Sequence, residues 1–135
     1  MKEKILLVED DVDNREVASA ILKHYGYQVL EAKEGKEALE MVKKEIPDLI
    51  LMDMALPGVS GWEVTRRLKR NPCTSQIPII ALTAYAMRKD KEKAFKLGCE
   101  GYLSKPISPQ KIIEEVKRVL EEKIASKKSH GSGGG

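Results

Sequence analysis

The sequence predicts an α/β doubly wound sandwich, a five-stranded parallel sheet with helices on both faces. Two observations carry that prediction. Five short apolar runs alternate with five stretches of helical period, and glycines, serines and prolines stand at the joins. Continuous apolar strands separated by amphipathic helices pack as a parallel sheet covered on both sides. Right-handed crossovers then favour a doubly wound topology, with strands in the order 2-1-3-4-5.

The elements follow in turn. KILLV (4–8) is the first apolar run, and YQVLEA (27–32), DLILM (48–52), PIIAL (78–82) and GYLS (101–104) are the other four. Between the first two, Val17, Ala18, Ile21, Leu22 and Tyr25 share one helical face; Ala38, Leu39, Val42 and Ile46 do so in the next helix. Val64 with Leu68, and Ala94 with Leu97, mark two weaker helices. Ile112, Ile113, Val116, Val119 and Leu120 form the clearest stripe. Gly26 and Gly98 fall where helices stop. Ser60 can cap the third helix, and Ser108-Pro109 opens the fifth with a capping hydroxyl and a proline in the first turn.

Length and composition bound the function. A chain of 135 residues, 41% hydrophobic and 33% charged, is one globular domain able to bury a core. The net charge of +3 is a mild basic excess, with no concentrated basic face or reading motif for nucleic acid. No apolar run reaches membrane-spanning length, and the N-terminus lacks the core of a signal peptide. Cys73 and Cys99 have no metal or redox spacing and read as free thiols in a reducing cytoplasm. The domain is expected over residues 1–123, and the Ser, Gly and Lys-rich stretch 124–135 reads as a disordered tail resembling an appended linker.

The chemistry lies at the strand exits. The first run ends in Glu9, Asp10 and Asp11, and the third in Asp53. In a doubly wound sheet the crevice lies beyond the carboxyl ends of the strands, where the order reverses, here between strands one and three. Glu9, Asp10 and Asp53 would meet there. Clustered carboxylates repel one another, and a hard cation such as Mg²⁺ relieves the repulsion. The alternative for Glu9 and Asp10 is an acidic first helical turn favoured by the helix dipole. Thr83 ends the fourth run and Lys105 the fifth, bringing a hydroxyl and an ammonium to the same edge. A carboxylate nucleophile, a metal site, a hydroxyl and a cation are what making and holding an acyl phosphate requires.

Four segments, ILLVEDD, PDLILMDMALPGVSG, IIALTA and GYLSKP, occur in register across residues 4 to 122, with separations of 30 from Asp53 to Thr83 and 22 from Thr83 to Lys105. On these the sequence resembles the CheY-like response-regulator receiver domains of two-component signalling, above all stand-alone receivers and those of hybrid histidine kinases. The resemblance implies a flavodoxin-like (βα)5 fold and a phosphorylation-dependent signalling switch rather than an enzyme acting on external substrates. It implies Asp53 as phosphoacceptor. Mg²⁺ would be held by Glu9, Asp10, Asp53 and the main-chain carbonyl of Ala55, with Asp11 auxiliary. Thr83 would bind the phosphoryl group, Lys105 would be its counter-ion, and the Lys105-Pro106 bond would be cis. Thr83 and Tyr102 would act as switch residues, altering the face of the fourth helix, fifth strand and fifth helix.

The implied partners are a sensor histidine kinase or His-phosphotransfer domain and a downstream protein target, with neither nucleic acid nor membrane. With no output domain after Glu122, action by protein contact is expected, or origin in a larger protein. Ala55 and Tyr85 occupy positions where the family tunes dephosphorylation, and they lead us to expect a long-lived phospho-form. A phosphatase with an aspartyl-phosphate intermediate would want an acid where Ala55 stands. A flavin or nucleotide binder would want a Gly- or Ser/Thr-rich loop where EDDVDN stands. A degenerate docking receiver would usually lack part of the acid, hydroxyl and lysine set.

Overall fold

The computed structural model describes residues 2–84 and 88–133, with side chains described as far as Ala125. Tyr85 lies outside the described residues. The element order is β1 (Lys4–Val8), α1 (Val12–His24), β2 (Gln28–Ala32), α2 (Gly35–Lys44), β3 (Leu49–Asp53), α3 (Gly61–Arg70), β4 (Ile79–Thr83), α4 (Arg88–Leu97), β5 (Gly101–Ser104) and α5 (Pro109–Gly133). The five strands form one sheet in the order β2-β1-β3-β4-β5, with every pairing parallel.

Strand alternation explains why the apolar runs are continuous. Leu6, Val8, Ile50, Met52, Ile79 and Ala81 point to one face, where they pack with Ala38 and Val42 of α2, Val64 and Leu68 of α3, and Ala94 of α4. Ile5, Leu7, Leu49, Leu51, Ile80 and Leu82 point to the other, against Ala18 and Leu22 of α1 and the Ile112 to Leu120 stripe of α5. A strand covered on both sides has no solvent face to make polar.

The helix signals hold. Ser60 Oγ accepts from Glu63 N–H at 3.2 Å, and Ser108 Oγ from Lys111 N–H at 3.2 Å. Gly26 and Gly98 sit at φ +93° and +106°, just past α1 and α4.

Three expectations need correction. The buried face of α1 is Arg15, Ala18, Ser19 and Leu22, while Val17 and Tyr25 are exposed. Arg15 is accommodated inside because main-chain carbonyls and Glu31 satisfy it. Ile46 is exposed because α2 ends at Lys44, short of the turn that would have turned it inward. Last, α5 continues to Gly133, so most of the stretch read as a disordered tail is helical. From Lys123 to His130 there is no glycine or proline to stop it. The packed part of the helix ends near Leu120, and Ile124 is exposed.

Candidate functional site

The sheet order puts the ends of β1 and β3 side by side, and the acids come with them. Glu9 follows Val8, which pairs with Met52, the residue before Asp53. Glu9, Asp10 and Asp53 each offer a carboxylate oxygen, and these atoms lie within 4.8 Å of one another. Glu9 and Asp53 are buried and Asp10 is exposed, so the cluster is sunk at its base and open above. Asp11 is engaged elsewhere, its carboxylate capping α1 by accepting from Asn14 N–H at 2.8 Å.

Lys105 closes the cluster from the β5 side. Its Nζ lies 3.1 Å from Asp53 Oδ2 and 2.8 Å from Glu9 Oε1. The contact with Glu9 is an ion pair, and buried Glu9 Oε1 has no further partner among the described residues. The Lys105-Pro106 peptide is cis. Lys105 N–H also donates to the carbonyl of Thr83 at 2.7 Å, tying the lysine's backbone to the end of β4. Thr83 stands one residue past Leu82, the register partner of Asp53. Its hydroxyl donates to the Tyr102 phenol at 2.7 Å.

The charges are set by this packing. Burial pushes the Glu9 carboxyl up, the adjoining Asp53 pushes the same way, and Lys105 only partly offsets them, so it rises to about 7. Burial also works against ionised Asp53. It is outweighed by hydrogen bonding to Glu9, the Ala55 N–H at 3.0 Å and Lys105, and Asp53 is held below its ordinary value. Burial opposes the Lys105 charge, but its two carboxylate partners prevail and hold it protonated. Asp53 is thus the ionised member of the acid pair and Glu9 the strained one.

A hard divalent cation fits this donor set. Three carboxylates converge, all donors are oxygen, and buried Glu9 Oε1 is met by Lys105 alone among the described residues. Behind the site, Gly61 opens α3 against the backbone of β3: a Cβ there would collide with the Asp53 carbonyl oxygen and Met54 Cα. Trp62 beside it is half-buried under Lys93 Nζ, 4.2 Å from the ring centroid.

Among the described residues, Glu9, Asp10, Asp53, Ala55, Thr83, Tyr102 and Lys105 therefore fall at this edge or next to it, while Tyr85 lies outside them. Arg15 and Glu115 were missed. Arg15 holds the main chain of the acid loop. Glu115 of α5 accepts from the N–H of Tyr102 at 3.0 Å, on the edge strand β5. Arg15 was detectable: it stands at i, i+3, i+4 and i+7 with Ala18, Ser19 and Leu22, a helical face that a hydropathy count discards because of its charge.

Acids, a hydroxyl and an ammonium gathered at the carboxyl edge of a parallel doubly wound sheet make a set suited to a metal ion and a phosphoryl group. Residues 5–117 match the model of the response regulator receiver domain, and the chain belongs to that family. It is 42% identical over 120 residues to the polar-differentiation response regulator DivK of Brucella ovis, covering 89% of this chain and 98% of that protein. Among solved structures, the chemotaxis protein CheY4 of Vibrio cholerae superposes with a TM-score of 0.83 at 29% identity, covering 88% of this chain and 99% of that one. The receiver domain of a sensor histidine kinase from Pseudomonas aeruginosa, solved with a magnesium ion in its active-site cleft, gives 0.79 at 34% identity, covering 93% and 99%. Receiver domains are signalling domains of two-component systems rather than enzymes with external substrates, and phosphorylation and Mg²⁺ binding are standard for the family.

Proposed function

We propose that this chain is a phosphorylation switch that takes a phosphoryl group onto Asp53 from a phosphohistidine of a sensor kinase or phosphotransfer domain. The observation that carries the reading is the pairing of ionised, buried Asp53 with Lys105 at 3.1 Å. A carboxylate is a competent nucleophile only when ionised, and an adjacent fixed cation offsets the charge an arriving phosphoryl brings. An Asp53 oxygen attacks phosphorus, the P–N bond to the donor imidazole breaks, and its electron pair stays on the imidazole nitrogen. Lys105 then neutralises one phosphoryl oxygen, and the Thr83 hydroxyl turns from Tyr102 to donate to another.

Glu9, Asp10, Asp53 and the Ala55 carbonyl are the residues that would hold Mg²⁺. When bound, the ion neutralises phosphoryl charge and aligns the incoming group. With the Thr83 hydroxyl drawn to the phosphoryl group, Tyr102 shifts, which alters the α4-β5-α5 face and so the affinity for a downstream protein. Among the described residues no helix is long and apolar enough to cross a membrane, and a cytoplasmic site of action follows from the kinase partnership. The packed helix supports a domain ending near residue 123, with the remainder an extension outside it.

Intact mass after incubation with a small acyl phosphate, with and without Mg²⁺, tests the reading on wild type and Asp53→Ala. One added phosphoryl group, in wild type only and with metal only, is expected. An adduct on Asp53→Ala, or none on folded wild type, overturns it.

A further inference from the structure

Arg15 is a charged side chain on the inner face of α1, 8% exposed, and its hydrogen bonds do not go to the acids beside it. Nη1 donates to the main-chain carbonyl of Glu9 at 2.9 Å and reaches that of Asp10 at 3.5 Å. On its other side Nε lies 3.3 Å from Glu31 Oε1, and Ser19 Oγ donates to Glu31 Oε2 at 3.3 Å. Glu31 precedes Ala32, whose carbonyl accepts from Glu9 N–H at 3.0 Å. Both main-chain polar groups of Glu9 are thereby fixed to β2, one directly and one through Arg15.

We propose that Arg15 is a positioning residue for the metal site, clamping the main chain of the acid loop so that Glu9 and Asp10 present their carboxylates together. The proposal rests on Glu9, Asp10 and Asp53 being the Mg²⁺ site. Its logic is that a cation next to a cation site opposes metal binding by simple Coulomb repulsion. A guanidinium in that place helps binding only through geometry. Its planar fork can hold the loop carbonyls and Glu31 at once, which a lysine ammonium on a flexible stem does less well. Groups that orient metal ligands without touching the metal commonly change affinity by about tenfold or more.

The sign of the effect separates the possibilities. Mg²⁺ binding is measured by isothermal titration calorimetry on the full chain as wild type, Arg15→Ala, Arg15→Lys and Glu9→Gln, with thermal unfolding of each in chelator. Wild type is expected to bind and Glu9→Gln to bind far more weakly. Arg15→Ala is expected to lose about tenfold in affinity, and Arg15→Lys, which keeps the charge, to recover only part of it. Unchanged or tighter binding by Arg15→Ala, with only its unfolding temperature lowered, overturns the proposal and leaves Arg15 a packing residue. Should Arg15→Ala not fold, Arg15→Lys decides alone, and wild-type affinity there overturns it equally. Absence of Mg²⁺ binding in wild type would instead sink the metal site, and the clamp with it.

Discussion

The hydroxyl of Thr83 donates to the phenol of Tyr102 at 2.7 Å, across the β4-β5 pair at the active edge. The same hydroxyl serves the phosphoryl group in the proposed switch, and its single proton cannot be donated to both oxygens at once. On that proposal the Thr83 to Tyr102 donation belongs to the resting state and is given up in the phosphorylated one. A double-mutant cycle with Thr83→Val and Tyr102→Phe isolates it from the other contacts each residue makes. In unphosphorylated protein the coupling free energy from urea unfolding is expected to be about 1 kcal/mol. The phospho-form should show a coupling near zero, and an equal coupling in both states would rule out the exchange of partners.

Gly61 is held to one residue type by the packing behind Asp53. Its N–H donates to the Met54 carbonyl at 3.2 Å, and a Cβ would strike the Asp53 carbonyl oxygen. Gly61→Ala can be absorbed only by moving α3 or the end of β3. The expected cost is about 1–3 kcal/mol of stability. Phosphoryl uptake from a small acyl phosphate should fall as well, because the displaced backbone carries Asp53, the proposed nucleophile. Wild-type stability and uptake together would show that α3 stands further from β3 than the close approach implies.

These two cases also indicate how much could be read in advance. The strands, their order and the acids were legible because a strand buried on both faces must be apolar throughout, so a carboxylate at its end stands out. Thr83 and Lys105 were legible only in combination, through spacing that matches a family. Arg15 shares a helical face with Ala18, Ser19 and Leu22, but its charge hid it, because the burial of a charge is decided by its partners, here the Glu9 carbonyl and Glu31 of β2. Glu115 was hidden for a similar reason. On the helix it reads as one more solvated acid, and only the edge position of β5 gives its carboxylate an N–H to accept.

Glu115 makes a pH prediction with a definite sign. Burial pushes its carboxyl up, but Arg118 and the Tyr102 N–H outweigh burial and hold it below 4.5. A carboxyl lowered in the folded state contributes stability that is complete above its unfolded value and disappears as pH falls through the folded one. Glu9 runs the other way: raised to about 7, its contribution is lost as pH rises from 4.5 through 7, in a separate window. Urea midpoints of wild type and Glu115→Gln, compared from about pH 6 to about pH 3, should therefore converge as pH falls. Parallel curves would mean that the Glu115 contacts contribute nothing specific to the folded state.

Ala55 bears on how long the signal lasts. It is exposed, two residues past Asp53, and its N–H is already engaged by Asp53 Oδ1 at 3.0 Å. Hydrolysis of an acyl phosphate needs a water held in line with the P–O bond, and a methyl group can neither donate to nor accept from that water. The phospho-form of the wild type is therefore expected to persist for minutes or longer. Ala55→Asn supplies an amide at the mouth of the site and should shorten the lifetime by about tenfold, through positioning of the water alone. A phosphate-release time course on the two proteins, each first loaded with a small acyl phosphate and Mg²⁺, reads this directly. A wild-type lifetime of seconds would show that water is held by another group, and the slow-release expectation drawn from Ala55 would fall.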